Sequence, residues 1–308
     1  MRYDTIIVGG GIGGLQTAIQ LARNKRRVAV LDVRGGRSTV AKAYRNVLGF
    51  QGGVSGETLR RIGREQAVRY GAMLLQEEVV RLETNGDGSF YVYTKLRTDP
   101  LQSRTLVMAT GICDPFPDIP GIGECLGISI FLCPDCDGYE TVAQNTAVIG
   151  ALPQALEMAD ELSFYTSGIC IVNHARSEVE PAVKHELARK GYRLADEKVT
   201  RLLHVDGALQ SLELSSGRRL DVTRAFLAFP GARPQTDLLR SFSIRFNEKG
   251  HVQTNPRTKE TDHPNVWAVG DIAEHSQQVA IAMGDGAQAA IWIQKRLRDQ
   301  DKQLAERR

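Results

Sequence analysis

Long apolar runs are missing from this 308-residue sequence: no stretch approaches eighteen consecutive apolar residues, about the length a membrane-spanning helix needs. The first strand-like run, starting at Tyr3, lacks the charged, apolar and small-residue regions of a secretion signal, so a cytoplasmic chain is expected. Cysteine is scarce, and five scattered residues (Cys113, Cys125, Cys133, Cys136 and Cys170) exclude the even framework of a disulfide-stapled secreted domain. Surplus charge is scarce too. The net charge is +3, confined to residues 294–308, where six basic residues face three acids. Without a basic stripe interleaved with aromatics, which make up only 6% of the chain, nucleic acid is not an expected partner. The basic tail reads as a solvated helix end. What is present, 42% hydrophobic and 24% charged, suits one large soluble domain or two smaller ones.

Residues 3–8 form a short apolar strand, glycines follow at once, and Leu15 to Ala22 recur with helical spacing. Val28 to Leu31 is then a second buried strand, ending at Asp32; such a βαβ unit marks a doubly wound sheet. The pattern predicts a helix over 58–70, strands over 78–83 and 90–95, and a buried strand at 106–109. Residues 114–123 carry three of the eleven prolines and read as a crossing between domains. A second, weaker βαβ unit spans 146–172, a further strand is predicted over 220–229, and a turn at 231–234. The chain then returns through residues 266–271 and a long apolar helix over 279–297. The expectation is an α/β fold of two Rossmann-like, doubly wound nucleotide-binding domains. Residues 1–113 and 242–308 form the first, and residues 114–241 form the second, inserted into it.

Gly9-x-Gly11-x-x-Gly14 sits between strand and helix, where the first Gly permits a tight turn, the second admits a pyrophosphate and the third lets helix and strand pack closely. The helix N-terminus faces the phosphates, and Asp32 can accept hydrogen bonds from ribose hydroxyls. The motif alone leaves FAD and NAD open. Ala109-Thr110-Gly111 at a strand end lets backbone touch a cofactor, and Gly270-Asp271 offers a carboxylate to ribityl or phosphate groups. The chemistry centres on Cys133-Pro134-Asp135-Cys136-Asp137-Gly138. Two Cys at this spacing can close a small disulfide. A zinc half-site is the alternative, but no second Cys or His pair of suitable spacing exists to complete it. Asp137 can exchange a proton with the thiols, or it serves only as a turn residue before Gly138.

With these residues the chain resembles, over nearly its whole length, the low-molecular-weight thioredoxin reductase family of FAD-dependent disulfide oxidoreductases. The match rests on the Gly9 motif, Ala109-Thr110-Gly111, the Cys pair ahead of Asp137-Gly138, Gly270-Asp271, and Gln278. It implies FAD in the first domain, contacted also by Arg37, Asn46, Val80 and Val279, with the disulfide on the inserted domain beside it. It further implies that Cys136 faces the flavin and that Cys133 exchanges with a thioredoxin-like protein or a small disulfide or dithiol. Asp137 would be the acid/base, and the protein a homodimer.

The departures concern NADPH. In Gly150-Ala151-Leu152-Pro153, Leu152 stands where the family's second Gly belongs and is expected to obstruct a pyrophosphate, while Pro153 removes an N–H. Asn173-His174-Ala175 replaces a His-Arg-Arg run that holds the 2′-phosphate, and Gln277 stands where an Arg is common. NADPH is therefore not expected. The resemblance extends to NADPH-independent relatives: ferredoxin-linked reductases, a group with a second flavin, and dithiol oxidases that pass electrons to oxygen. Residues 31–49 look like the oxidases, and Asp137 like the reductases. The expected function is a flavin disulfide oxidoreductase fed by a donor such as ferredoxin. A dithiol oxidase, a divergent NADPH-dependent reductase using Arg176, and a non-catalytic flavin redox sensor stay open, as does a second flavin in the vacated domain.

Overall fold

The computed structural model describes residues 2–306. β1 (Arg2–Val8), α1 (Ile12–Arg23) and β2 (Val28–Leu31) open the chain, followed by α2 (Gly56–Arg69), β3 (Met73–Leu75), β4 (Val79–Thr84), β5 (Phe90–Thr94) and β6 (Leu101–Met108). They form one sheet in the order β3-β2-β1-β6-β5-β4, parallel from β3 to β6, with β4 and β5 as an antiparallel hairpin at its edge. Every residue of β2 is buried: Val28 and Val30 pack with α1, α2 and residues 289–297, and Ala29 and Leu31 pack on the other face with β4, β5 and residues 239–252, whereas β5 alternates between buried and half-buried positions.

The second sheet lies within the stretch that follows. β7 (Ile112–Cys113), α3 (Ile122–Cys125), β8 (Ile130–Phe131), α4 (Pro134–Asp137), β9 (Thr146–Gly150), α5 (Leu152–Leu162), β10 (Ile169–Asn173), α6 (Pro181–Lys190) and β11 (Arg193–Ala195) lead to an antiparallel meander. The meander is β12 (Val199–Val205), β13 (Ala208–Leu214) and β14 (Arg219–Leu220); β15 (Arg224–Ala228) then completes a parallel sheet ordered β11-β10-β9-β15-β8. The strand predicted over 220–229 is thus two strands, which belong to different sheets.

β16 (Arg233–Pro234) runs back beside β7, so the outward and return passages lie together. The Thr110 hydroxyl donates to the Gln235 carbonyl at 2.6 Å, and the Gln235 N–H to the Gly111 carbonyl at 2.9 Å. The return falls at Arg233–Pro234 and not at 241/242 as expected, because Leu239 and Phe242 already pack in the first core. On the outward side Ile119 and Ile122 already belong to the second core.

β17 (Val266–Ala268) joins the first sheet beside the end of β6, pairing Leu106 with Val266 and Met108 with Ala268. α7 (Val279–Glu306) then crosses α1. A side chain at Gly286 would overlap the Gly13 carbonyl, so the two helices meet backbone to backbone. The end of α7 is less solvated than its composition suggests: Asp301 pairs with Arg26 and Arg104 at 2.7 and 2.8 Å, and Arg296 with Glu260 at 3.0 Å. Arg307 and Arg308 lie outside the described residues. Among those described, no helix is long and apolar enough to cross a membrane.

Candidate functional site

A cavity of about 1200 Å³ opens at the C-terminal ends of β1, β6 and β17 and runs across to α4. Gly9, Gly11, Asp32, Arg37, Asn46 and Val80 line it. So do Ala109, Thr110, Gly111, Gly270, Asp271, Gln278 and Val279, with Cys133, Cys136 and Asp137 on the side of the second sheet. Of the residues expected to contact the flavin only Gly14 stands behind the wall, where a side chain would overlap the Gly9 carbonyl; its role is close packing of the turn.

Gly9 has a left-handed φ of 106°, and a side chain there would overlap the Ala109 carbonyl. A side chain at Gly11 would meet only the Ala109 carbonyl, at 3.9 Å, and Gly11 is the N-cap of α1 without a side-chain cap, leaving the first N–H groups of the helix available to a ligand. Space, glycines and free donors together fit a pyrophosphate. Asp32 is held ready: its Oδ1 accepts the Gly10 N–H at 3.0 Å and its Oδ2 the Arg60 Nη2 at 2.8 Å. Sequence reasoning missed Arg60. This side chain is 2% exposed, and it also donates to the Gly10 carbonyl at 3.1 Å and to the Gly35 carbonyl. Its signal was readable, since Arg60 falls on the buried stripe Gly56, Gly63, Ala67 of α2.

Arg37 faces the cavity but is engaged by protein: it pairs with Asp114 at 2.9 Å and with Asp271 at 3.5 Å, and donates to the Gln277 side chain. Burial pushes the Asp114 carboxyl up while Arg37 opposes it. Tyr44, also missed, lines the same cavity; burial first, then Asp271 and Asp137, push its phenol up to about 12, so it stays protonated.

Cys133 and Cys136 are joined as a disulfide, with Cα atoms 5.3 Å apart. Cys133 caps α4, Pro134 occupies the first turn, and the N–H groups of Cys136 and Asp137 donate to the Cys133 carbonyl at 3.1 and 3.0 Å. Gly138 is required by packing, because a side chain there would run into the Tyr165 ring. Asp137 therefore need not be explained as a turn residue. Burial, then the charge of Glu140, push its carboxyl up to about 6, with Arg45 opposing; Arg45 itself bonds Glu140 at 3.2 Å. Of the other cysteines, Cys125 and Cys170 are buried as packing residues, but Cys113 is exposed at the domain crossing.

The second glycine turn corrects one expectation. Leu152 is 4% exposed and packs with Val148 and Ala155 beneath the sheet, so it does not obstruct the space ahead of the turn. The side chain of Leu152, at the start of α5, is part of the core that α5 shares with β9, β10 and β15. The other departures stay visible. Pro153 lies in the first turn of α5 and lacks an N–H. Asn173 is fully buried, donating to the Ser177 carbonyl and to Asp196, both at 2.7 Å, and accepting the Ser177 N–H at 3.0 Å. His174 accepts the Val199 N–H at 3.1 Å, and burial lowers its pKa. Arg176 pairs with Asp196 at 3.2 Å. Beside α5 a cavity of about 250 Å³ carries Glu157 and Glu161 in its wall.

The family model for the pyridine nucleotide-disulphide oxidoreductases matches residues 3–286. The chain is 28% identical to a thioredoxin reductase of Mycolicibacterium smegmatis, with 97% of this chain and 98% of the relative covered. It is 30% identical to a bifunctional thioredoxin reductase/thioredoxin of Mycobacterium leprae, covering 94% of this chain and 64% of that longer protein. Among solved structures, that of HlmI superposes with a TM-score of 0.88 at 29% identity, covering 99% of this chain and 96% of the other. With a glycine turn, a carboxylate and a Cys133–Cys136 disulfide around one cavity, the chain belongs to the pyridine nucleotide-disulphide oxidoreductases as a thioredoxin reductase-like flavin enzyme.

Proposed function

We propose that this chain is a cytoplasmic, homodimeric FAD-dependent dithiol/disulfide oxidoreductase working through Cys133 and Cys136. Its NADPH site is degenerate, and a donor other than a pyridine nucleotide, such as reduced ferredoxin, feeds it. The observation that carries the reading is the shared cavity: the disulfide and Asp137 line the same space as the Gly9 turn. Gly9, Gly11 and the start of α1 would hold the pyrophosphate, Asp32 the adenosine ribose, and Asp271, Gln278 and Val279 the flavin end. FAD, when bound, supplies two-electron exchange with the disulfide. The protein's own part is proton handling and exchange. With a pKa of about 6, Asp137 can protonate a thiolate as the disulfide opens and take the proton back as it closes. Cys133 exchanges with the partner, a thioredoxin-like protein or a small disulfide or dithiol; the fused thioredoxin named in the M. leprae relative favours a protein partner.

Three features support a degenerate NADPH site without Leu152. Pro153 removes a donor from the turn, Asn173 closes the loop after β10 upon itself, and Arg176 is already paired with Asp196. Glu157 and Glu161 beside α5 further disfavour phosphates. The adjacent 250 Å³ cavity is below the roughly 300–1,000 Å³ of small-molecule sites, so no second flavin is proposed.

The test is the anaerobic visible spectrum. NADPH and NADH are expected to leave the flavin band unchanged, and reduced ferredoxin to bleach it. Bleaching by NADPH within seconds would restore an NADPH-dependent thioredoxin reductase. Repeated turnover of a small dithiol with oxygen as acceptor would assign the oxidase direction instead. Arg60→Met separately tests the ribose contact. It removes a charge-assisted hydrogen bond from Asp32, and FAD affinity of the apoprotein should fall by about tenfold or more. Unchanged affinity by fluorescence titration would reject that role for Asp32 and Arg60.

A further inference from the structure

Asp285 lies on α7, 3% exposed, and gathers three donors. Its Oδ2 accepts the Gly270 N–H at 3.0 Å and the His275 Nε2 at 2.6 Å, and its Oδ1 meets the Lys259 Nζ at 2.9 Å. The other ring nitrogen of His275, Nδ1, is 2.8 Å from the Ser276 carbonyl oxygen. Both facing groups are acceptors, so both nitrogens are satisfied together only when the ring carries two protons and is a cation. The charged groups facing the ring are Asp285 from α7 and Lys259 from the turn at 255–260; the neighbouring Glu274 is turned to the Asn247 amide at 3.1 Å. The bond to Asp285 raises the His275 pKa against burial and Lys259. Burial pushes Asp285 up, but its bonds to His275 and Lys259 outweigh this and hold it ionised.

Between Gly270 and Gln278 the chain forms one wall of the large cavity, with Asp271, Gln277 and Gln278 in it. We propose that His275 is a positioning residue for the cofactor: its cation fastens this wall to α7 through Asp285, and loss of the ring proton loosens the wall and weakens the hold on FAD. This rests on reading the cavity as the FAD site. The neutral ring keeps one N–H for Asp285 and turns a lone pair on the Ser276 carbonyl, so with Gly270 and Lys259 still on Asp285 the part released is the segment from Ser276 into Gln277 and Gln278. The fastened wall binds the proton more tightly than a loosened one. The clamp is therefore complete below the ring's ordinary 6.5 and is lost as pH rises through its raised folded value.

The test is FAD titration of the apoprotein by fluorescence at about pH 7 and about pH 9.5, where Asp137 is ionised at both. Each unit by which bound FAD raises the ring pKa above its apoprotein value changes affinity tenfold, so a further rise of about one unit costs the wild type about tenfold between them. His275→Gln should bind with the weak, high-pH affinity at both values, and His275→Lys, a cation throughout, should show no drop. Retention of the wild-type pH dependence in His275→Gln would overturn the proposal. NMR provides a readout free of cofactor: the histidine resonance absent from His275→Gln should titrate above 6.5 in the apoprotein, and a value at or below it overturns the fastening. If no FAD binds at any pH, the cofactor reading fails and this proposal with it, whereas FAD binding without the pH drop rejects the proposal alone.

Discussion

Cys136→Ser should turn over dithiols or disulfides at least about a thousandfold more slowly than the wild type, while still binding flavin. The serine cannot re-form the bond to Cys133, and an alkoxide is no substitute for a thiolate at neutral pH. The cradle at Gly9, Gly11 and Asp32 belongs to the other sheet and is untouched, so the flavin spectrum and stoichiometry should be those of the wild type. Cys133→Ser should lose turnover to the same extent, since the two sulfurs act as one unit and their losses are not additive. Multiple turnover by either variant within tenfold of the wild type would sink the mechanism. Stoichiometric flavin reduction by the wild type without repeated turnover would instead favour a redox sensor.

Asp137→Asn should separate stability from activity. Its carboxyl titrates at about 6 against an ordinary 3.8, chiefly because burial disfavours the charge, and among the described residues its carboxylate makes no side-chain hydrogen bond. A raised folded pKa means that the contribution to stability is fully present below the unfolded value and is lost as pH climbs through about 6. At pH 7.5 the loss is at most about 3 kcal/mol. The neutral amide does not suffer it. Relative to the wild type, Asp137→Asn should be more stable at pH 7.5 by up to that amount and nearly equal to it at pH 4, as read from denaturant midpoints. Turnover should drop by about a hundredfold or more and lose its pH dependence near 6. An equal stability difference at both pH values would show that the carboxyl is not strained by its surroundings.

Much of this was readable beforehand. The Gly9 motif, Asp32, Ala109 to Gly111 and Gly270-Asp271 sit next to buried strands whose apolar runs are unmistakable, and the structure gathers them around one cavity with the Cys pair. What escaped has physical reasons. The 199–214 hairpin packs only one face, so its apolar residues are diluted by polar ones, and α6 has a single fully buried residue, Leu187. Leu152 was misjudged because a motif position fixes where the Cα stands, while the direction of the side chain follows from the helix that begins there. Arg60 bonds Asp32, 28 positions back, His275 bonds Asp285 on a different element, and Tyr44 sits near Asp271 and Asp137, far along the chain. No local pattern announces such partnerships. The boundary at 241/242 was late because Leu239 and Phe242 follow the passage without a composition change to mark it.

The pairing of β17 with β6 and the crossing of α7 over α1 also set an order of events during synthesis. The inserted sheet, from Ile130 to Ala228, is contiguous and can close as soon as β15 leaves the ribosome. The first sheet cannot: β6 ends at Met108, and α7, which covers Gly13 through Gly286, ends near residue 306. At roughly 5–20 residues per second, the early strands wait on the order of ten seconds or more for their last partners. Through that interval the end of β6, residues 106–108, lacks its partner β17 and is open to mispairing. Nascent chains of this protein should therefore acquire protease resistance in the middle segment first, and capture cofactor only after the final helix has emerged.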